Sequence, residues 1–130
     1  MLDIETIVYS RVKAILTSKL RSKYSDISFT TNDKITGNAK FPNVYVHSVG
    51  SLETGNDFDN SSINGVLETL QIETTDNESQ TIAKDVMNEV VKVMKGMRFT
   101  VIAMPETQHS NNIYRCVARF RRTIGNDDTL

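Results

Sequence analysis

The sequence has a single cysteine, no tryptophan and only two prolines among its 130 residues. One thiol, Cys116, can form neither an internal disulfide nor a cysteine-built metal site. We expect Cys116 to be a small buried side chain rather than a reactive thiol, because it alternates along a strand with Tyr114, Ala118 and Phe120. Disulfide scaffolds and cysteine metal knuckles are therefore excluded, and no cofactor is predicted.

Long hydrophobic runs are also lacking. No apolar stretch approaches the roughly 20 residues that a membrane-spanning helix needs, so no membrane partner is predicted. The segment Met1–Glu5 is acidic and lacks the basic and apolar regions of a secretory signal, so we expect the protein to act where it is made. The length predicts one domain over residues 1–124, followed by a short flexible tail over residues 125–130.

The sequence contains no recognisable catalytic motif. The six glycines are isolated from one another, so there is no Walker loop, dinucleotide fingerprint or nucleophile elbow. His47 and His109 lie 62 positions apart without the HExxH spacing of a zinc site, and we interpret them as ordinary surface histidines. The sequence therefore predicts a protein that is not an enzyme.

One stretch imitates a calcium loop. The positions of Asp57, Asp59, Ser61 and Glu68 match four ligand positions of an EF-hand. Ser62 stands where the sharp turn needs glycine, and the flanking segments have the pattern of strands rather than helices. We therefore predict no metal site.

Two segments have the spacing of amphipathic helices. In the first, Asp3 to Tyr24, apolar residues recur at steps of three to five positions. The second follows Asn77, a predicted N-cap with Gln80 at the capping-box position, and is predicted to end at Gly96.

Five segments alternate with the period of two that is typical of strands. They lie at Ile27–Phe29, Val44–His47, Val66–Thr74, Phe99–Ala103 and Ile113–Ile124. Pro105 is predicted to end the fourth strand. Three stretches between the strands are predicted to be loops: Asn32–Lys40, Gly50–Ser62 and Glu106–Asn112. The order is helix, three strands, helix, two strands, which predicts an α+β fold: a mainly antiparallel sheet of about five strands with both helices on one face.

Charge is balanced overall but segregated along the chain. The 15 basic and 16 acidic residues give a net charge of -1. Residues 1–24 carry five basic and two acidic groups (+3), residues 50–83 carry seven acidic and none basic (-7), and residues 84–130 carry eight basic and five acidic (+3). Such segregation favours head-to-tail association, in which one edge of a subunit meets a different edge of the next.

The last strand places Arg115, Arg119 and Arg121 on one face, with Arg122 facing the other way beside Phe120. Three interpretations stay open for the arginine face: a solvated surface, a site for a polyanion, or a contact with the acidic segment of a neighbouring subunit. No aromatic residue is expected on that face to stack on bases, so sequence-specific nucleic-acid binding is disfavoured.

The Gly50–Ser62 segment is the second candidate for a partner contact. It is acidic through Asp57 and Asp59 but keeps two apolar anchors, Leu52 and Phe58. We expect it to be mobile in the free subunit and to order on a partner.

The element order, the length, and the strand Leu70–Glu73 followed by a capped helix, Gly96 and a two-strand hairpin resemble the tail terminator, or tail completion, proteins of long-tailed bacteriophages and phage-tail-like particles. The resemblance covers about residues 1–124. It implies a virion structural protein, assembled in the host cytoplasm, that forms a ring of six copies. The ring caps the tail tube, ends its polymerisation and attaches to a head connector or neck protein, and the genome passes through its lumen.

Two other functions remain open at this point. A head-closure or other neck connector protein is the nearest alternative. A small nucleic-acid-binding module that uses Arg115, Arg119 and Arg121 is the second.

Overall fold

A computed structural model describes residues 4–31, 41–56, 63–110 and 113–125. The elements in chain order are α1 (Ile4–Leu20), β1 (Ser28–Thr30), β2 (Asn43–Asn56), β3 (Ile63–Asp76), α2 (Gln80–Gly96), β4 (Thr100–Ser110) and β5 (Ile113–Gly125). This order confirms the predicted α+β fold of one helix, three strands, a second helix and two strands.

The five strands form one sheet in the order β1-β2-β3-β5-β4. Four of them pair antiparallel, whereas the three-residue strand β1 runs parallel to the start of β2 and pairs only with residues 43–45. The sheet is therefore mixed, and mainly antiparallel as predicted.

Both helices lie on one face of this sheet, with α1 over β1 and β2, and α2 over β3, β5 and β4. The core forms between the two layers, because every second strand residue points towards the helices. Its largest fully buried side chains come from all three of the inner strands and from both helices: Phe120, Leu16, Leu70, Ile72, Met87, Met94, Val8, Val12, Val44, Val46, Val86 and Val90. The other face of the sheet lacks a helical cover among the described residues.

Helix α1 ends four residues earlier than predicted, at Leu20 rather than at Tyr24. The carbonyl of Leu20 accepts hydrogen bonds from the amides of both Lys23 and Tyr24, which closes a turn at this point. The turn brings the Lys23 ammonium and the Tyr24 hydroxyl within 2.8 and 2.7 Å of the Asp85 carboxylate on α2. These two hydrogen bonds to Asp85 thus connect the C-terminal end of α1 to α2, beyond the last apolar residue of α1.

Helix α2 is capped at both ends by residues other than those predicted. Ser79, not Asn77, is the N-cap, and its hydroxyl accepts a hydrogen bond from the Thr81 amide. At the other end the helix stops at Gly96 as predicted, but the left-handed residue is Arg98, with φ 67°. The amides of Arg98 and of the residue after it bond to carbonyls in the last helical turn, which is a Schellman motif.

The predicted loop at 50–62 is wrong over its first half, because β2 continues to Asn56 and pairs with an early start of β3 at Ile63. A β-bulge between Ser48 and Gly50 shifts the register, and pairing resumes at Gly50 opposite Thr69. Main-chain pairing holds this polar stretch as a strand although its side chains lack apolar alternation. Leu52 therefore lies on β2, whereas Asp57, Phe58, Asp59 and the predicted 32–40 loop lie outside the described residues.

The end of β4 was also predicted wrongly. The strand does not stop at Pro105 but continues to Ser110, so residues 106–110 are strand rather than hairpin loop. Register shifts flank Ala103 and the proline lies between it and Glu106. Because β4 is an edge strand, a bulge there tolerates a residue that lacks an amide donor.

Candidate assembly surface

The face of the sheet turned away from the helices carries a row of arginines from β5. Arg115, Arg119 and Arg121 are all exposed, whereas the intervening Cys116 and Phe120 are buried under the helices. The predicted grouping of the three arginines on one face is therefore confirmed. We name this group the arginine face.

Two of these arginines contact β3, the central neighbour of β5. The Arg119 Nε donates to the Gln71 Oε1 over 2.9 Å, and these residues are direct cross-strand partners. The Arg115 Nε lies 3.6 Å from the Glu73 Oε1. Arg121 pairs instead with Thr69 on one side and Thr100 on the other, both uncharged. The two cross-strand neighbours of Arg121 therefore provide neither a carboxylate nor a side-chain amide for its guanidinium.

Strand β2 adds an aromatic pair to the same face. The rings of Tyr45 and His47 stack with centroids 4.6 Å apart. The His47 Nε2 lies 3.6 Å from the other carboxylate oxygen of Glu73, so Glu73 lies between the histidine and Arg115. The pKa of Tyr45 is raised by burial and by the nearby charges of Glu73 and Glu5. His47 is a half-buried member of a polar row, not the ordinary surface histidine that we predicted, and the arginine face does have an aromatic neighbour.

Opposite charges are divided between the two hairpins of the sheet. The β2–β3 hairpin, residues 43–76, contains six acidic residues and no lysine or arginine (-6). The β4–β5 hairpin, residues 100–125, contains four arginines and one glutamate (+3). Among the described residues, Glu68, Asp76 and Arg122 are buried, whereas Arg115, Arg119 and Arg121 are exposed, so the described exposed charge of the β4–β5 hairpin is that of the arginine face.

A buried polar cluster lies beneath the helices where the β2–β3 hairpin leaves the core. Glu68 is only 4% exposed and Arg122 only 8%, and they are cross-strand partners on the core side of the sheet. The Ser48 hydroxyl donates to the Glu68 Oε1 over 2.6 Å, and the Ser48 amide donates to the Glu5 carboxylate at the start of α1 over 3.1 Å. Burial inside a protein strengthens such charge-assisted hydrogen bonds. The two hydrogen bonds of Ser48 lie directly before the bulge of β2.

The chemistry available to small ligands is limited within the described ranges. No group of three His, Cys, Asp or Glu side chains there is placed to hold a metal ion. Cys116 is 1% exposed as predicted, and burial raises the pKa of its thiol, which disfavours the reactive thiolate. None of the described helices is long and apolar enough to cross a membrane.

Sequence reasoning found the arginines but missed their partners. The alternation of β3 already placed Gln71 and Glu73 on the outer face, yet pairing them with β5 requires the register, which depends on where the hairpin loop lies. Glu68 is a charged residue at a position that the alternation of β3 directs towards the core, and it is buried there. One feature of the sequence indicated the buried pair: strand alternation directs both Glu68 on β3 and Arg122 on β5 to the core side of the sheet.

Comparison with protein-family models gave no match, and a search of curated proteins gave none either. The function is therefore inferred from the chain's own residues and from the pattern described above.

Proposed function

We propose that the protein is a structural subunit of a ring of six copies that caps the tail tube of a long-tailed bacteriophage or a phage-tail-like particle. The ring ends the polymerisation of the tube protein and offers its other side to a head connector or neck protein. The subunit acts stoichiometrically in the virion, by occupying the end of the tube, and the genome passes through the lumen.

The observation that carries this proposal is the division of charge within one sheet. A ring forms by head-to-tail contacts in which two different surfaces of identical subunits meet. The β2–β3 hairpin is acidic in sequence and the β4–β5 hairpin carries the exposed arginine face, so two unlike parts of identical subunits can attract each other. Like charges disfavour the symmetric alternatives, in which the same hairpin of two copies would meet.

The architecture supports the same proposal in a second way. Helices cover one face of the sheet, so the arginine face and the sheet edges remain for partners among the described residues. A rigid frame with two unlike sides suits a subunit that must match the tube on one side and refuse a further tube layer on the other. The order of helices and strands, which resembles that of tail terminator proteins, also supports the proposal.

A nucleic-acid-binding module is the second candidate, and the specific observation in its favour is the Tyr45–His47 stack on the same side of the sheet as the arginine face. Two features weaken it. Arg119 already donates to Gln71, and Glu73 places a negative charge beside Arg115 where a phosphate would have to lie.

Native mass spectrometry of the purified protein separates the two candidates. The ring proposal predicts a main species of six copies that dissociates as salt is raised, because the contacts are partly electrostatic. A stable monomer that binds DNA tightly, with affinity falling steeply as salt rises, would instead support the nucleic-acid module.

A further inference from the structure

We infer that neighbouring copies of this chain join edge to edge, with β4 of one copy beside the outer edge of β2 of the next, and with Val49 and Ile102 meeting at the junction. The inference rests on the proposed ring for its occupant, a second copy of the chain. It adds the identity of the two edges, which the ring alone does not specify.

The two edges are unlike, and both offer strand backbone. Strand β4 is the last in the sheet and pairs only with β5 among the described residues. At the opposite side β1 covers only residues 43–45, so within the described ranges β2 pairs solely with β3 from Val46 to Asn56. An unpaired strand edge presents amides and carbonyls that another strand can bond. Three antiparallel pairings separate β2 from β4, so these two strands run in opposite directions within one copy. If neighbouring copies have the same orientation, β4 of one and β2 of the next are therefore antiparallel.

Each edge carries one exposed large apolar side chain, and the two are the only such residues among those whose burial is described. Val49 is 42% exposed and Ile102 is 41% exposed. Both lie at register shifts, Val49 between Ser48 and Gly50 and Ile102 between Val101 and Ala103. A bulged residue is left unpaired within its own sheet and is directed differently from its neighbours.

Val49 and Ile102 also lie at the same height along the strands. Ser48, just before Val49, pairs with Leu70, which pairs with Phe120. Phe120 in turn pairs with Val101, just before Ile102. When copies are placed side by side at one level, the two apolar residues therefore approach each other across the junction.

Charge favours this pairing over the alternatives. The β2 edge belongs to the -6 hairpin, and β4, which has no lysine or arginine of its own, adjoins the arginines of β5 in the +3 hairpin, so unlike edges attract. Two β2 edges would bring together two acidic hairpins, and two β4 edges would bring together two hairpins of net positive charge, with the arginines of β5 one strand away from the junction. A second copy in the same orientation is thus the occupant that the edges fit.

Cross-linking between single-cysteine variants tests the contact. In a Cys116→Ala background, one preparation carries Val49→Cys and another carries Ile102→Cys. The two are mixed and treated with a short bismaleimide linker. We expect the mixture to yield cross-linked dimers at least tenfold more than either preparation alone, and a protein carrying both changes to yield ladders up to the full ring.

The control replaces the Val49 variant with Ser18→Cys, an exposed position on α1. Cross-linking of that pair at the same yield, or of Val49→Cys with itself, would overturn the inference. Independently, Ile102→Asn should weaken association about three- to sevenfold, because the exposed part of the isoleucine would otherwise be buried.

Sedimentation velocity of the unmodified protein separates the two levels of failure. An oligomeric protein whose edge variants do not cross-link would overturn the edge pairing and leave the ring proposal standing. A protein that stays monomeric at all concentrations would overturn the ring proposal, and the edge pairing with it.

Discussion

Reversing the charges of Arg119 and Arg121 tests whether the arginine face contributes to contacts between subunits. Both side chains are exposed, so glutamate at either position should be accommodated without loss of the core. Within the subunit, the change removes the hydrogen bond from Arg119 to Gln71. Exposed interactions of this kind contribute little to folding, so the fold should persist and any loss of assembly should arise between copies.

The size of the effect follows from the exposure of the two side chains. An exposed ion pair contributes about 0.2–1 kcal/mol, and replacing one partner by a like charge adds a repulsion of similar size. Two reversals should thus weaken each subunit contact by about 1–3 kcal/mol, which is about 5- to 150-fold in the dissociation constant. The loss should be larger at low salt, because charges on a surface are screened beyond about 10 Å at ~0.1 M salt.

Analytical ultracentrifugation over a range of concentrations and two salt levels measures this loss. The matched control is Arg11→Glu with Lys13→Glu, two exposed positions on α1. In both double variants two residues each change by two units, so the net charge goes from -1 to -5. Equal weakening by the two variants would show that net charge alone is responsible, and an unchanged oligomer in the Arg119 and Arg121 variant would refute the reasoning.

Three further predictions concern the fold. Arg98→Gly should raise the free energy of unfolding by about 0.5–1 kcal/mol in urea titrations, since Arg98 has a positive φ that glycine adopts without strain; a loss of stability would contradict this. Hydrogen bonds from Lys23 and Tyr24 lower the pKa of Asp85. The ionised Asp85 therefore contributes to the stability of the fold above about pH 4, and this contribution is lost as the pH falls through the folded-state pKa. The stability difference from Asp85→Asn should therefore shrink on acidification, and a constant difference would argue against this. Burial raises the pKa of Cys116, so its thiol should react with a disulfide reagent at pH 8 far more slowly before than after denaturation, and equal rates would contradict its burial.

The elements that sequence reasoning predicted well are those in which apolar periodicity alone sets the structure. Helix α2 keeps one apolar stripe over its whole length, and β5 alternates from Ile113 to Ile124, so their faces follow from spacing. The buried state of Cys116 and the outward direction of the arginines follow from that same alternation.

The elements that were missed depend on pairing between distant segments. The extension of β2 to Asn56 and of β4 past Pro105 is held by main-chain bonds to a neighbouring strand, which polar or proline-containing sequence does not signal. The same holds for the site. The bonding of Arg119 to Gln71 and the burial of Glu68 opposite Arg122 depend on a register that no local pattern specifies.

Electron microscopy of tail tubes assembled with and without this protein tests the central claim most directly. Tubes formed from tail-tube protein with its tape measure, in the absence of this protein, should exceed their set length, because no ring occupies the growing end. Adding the protein should stop growth at the set length, with one ring at one end of each tube. Tubes of normal length that join heads in its absence would contradict the account.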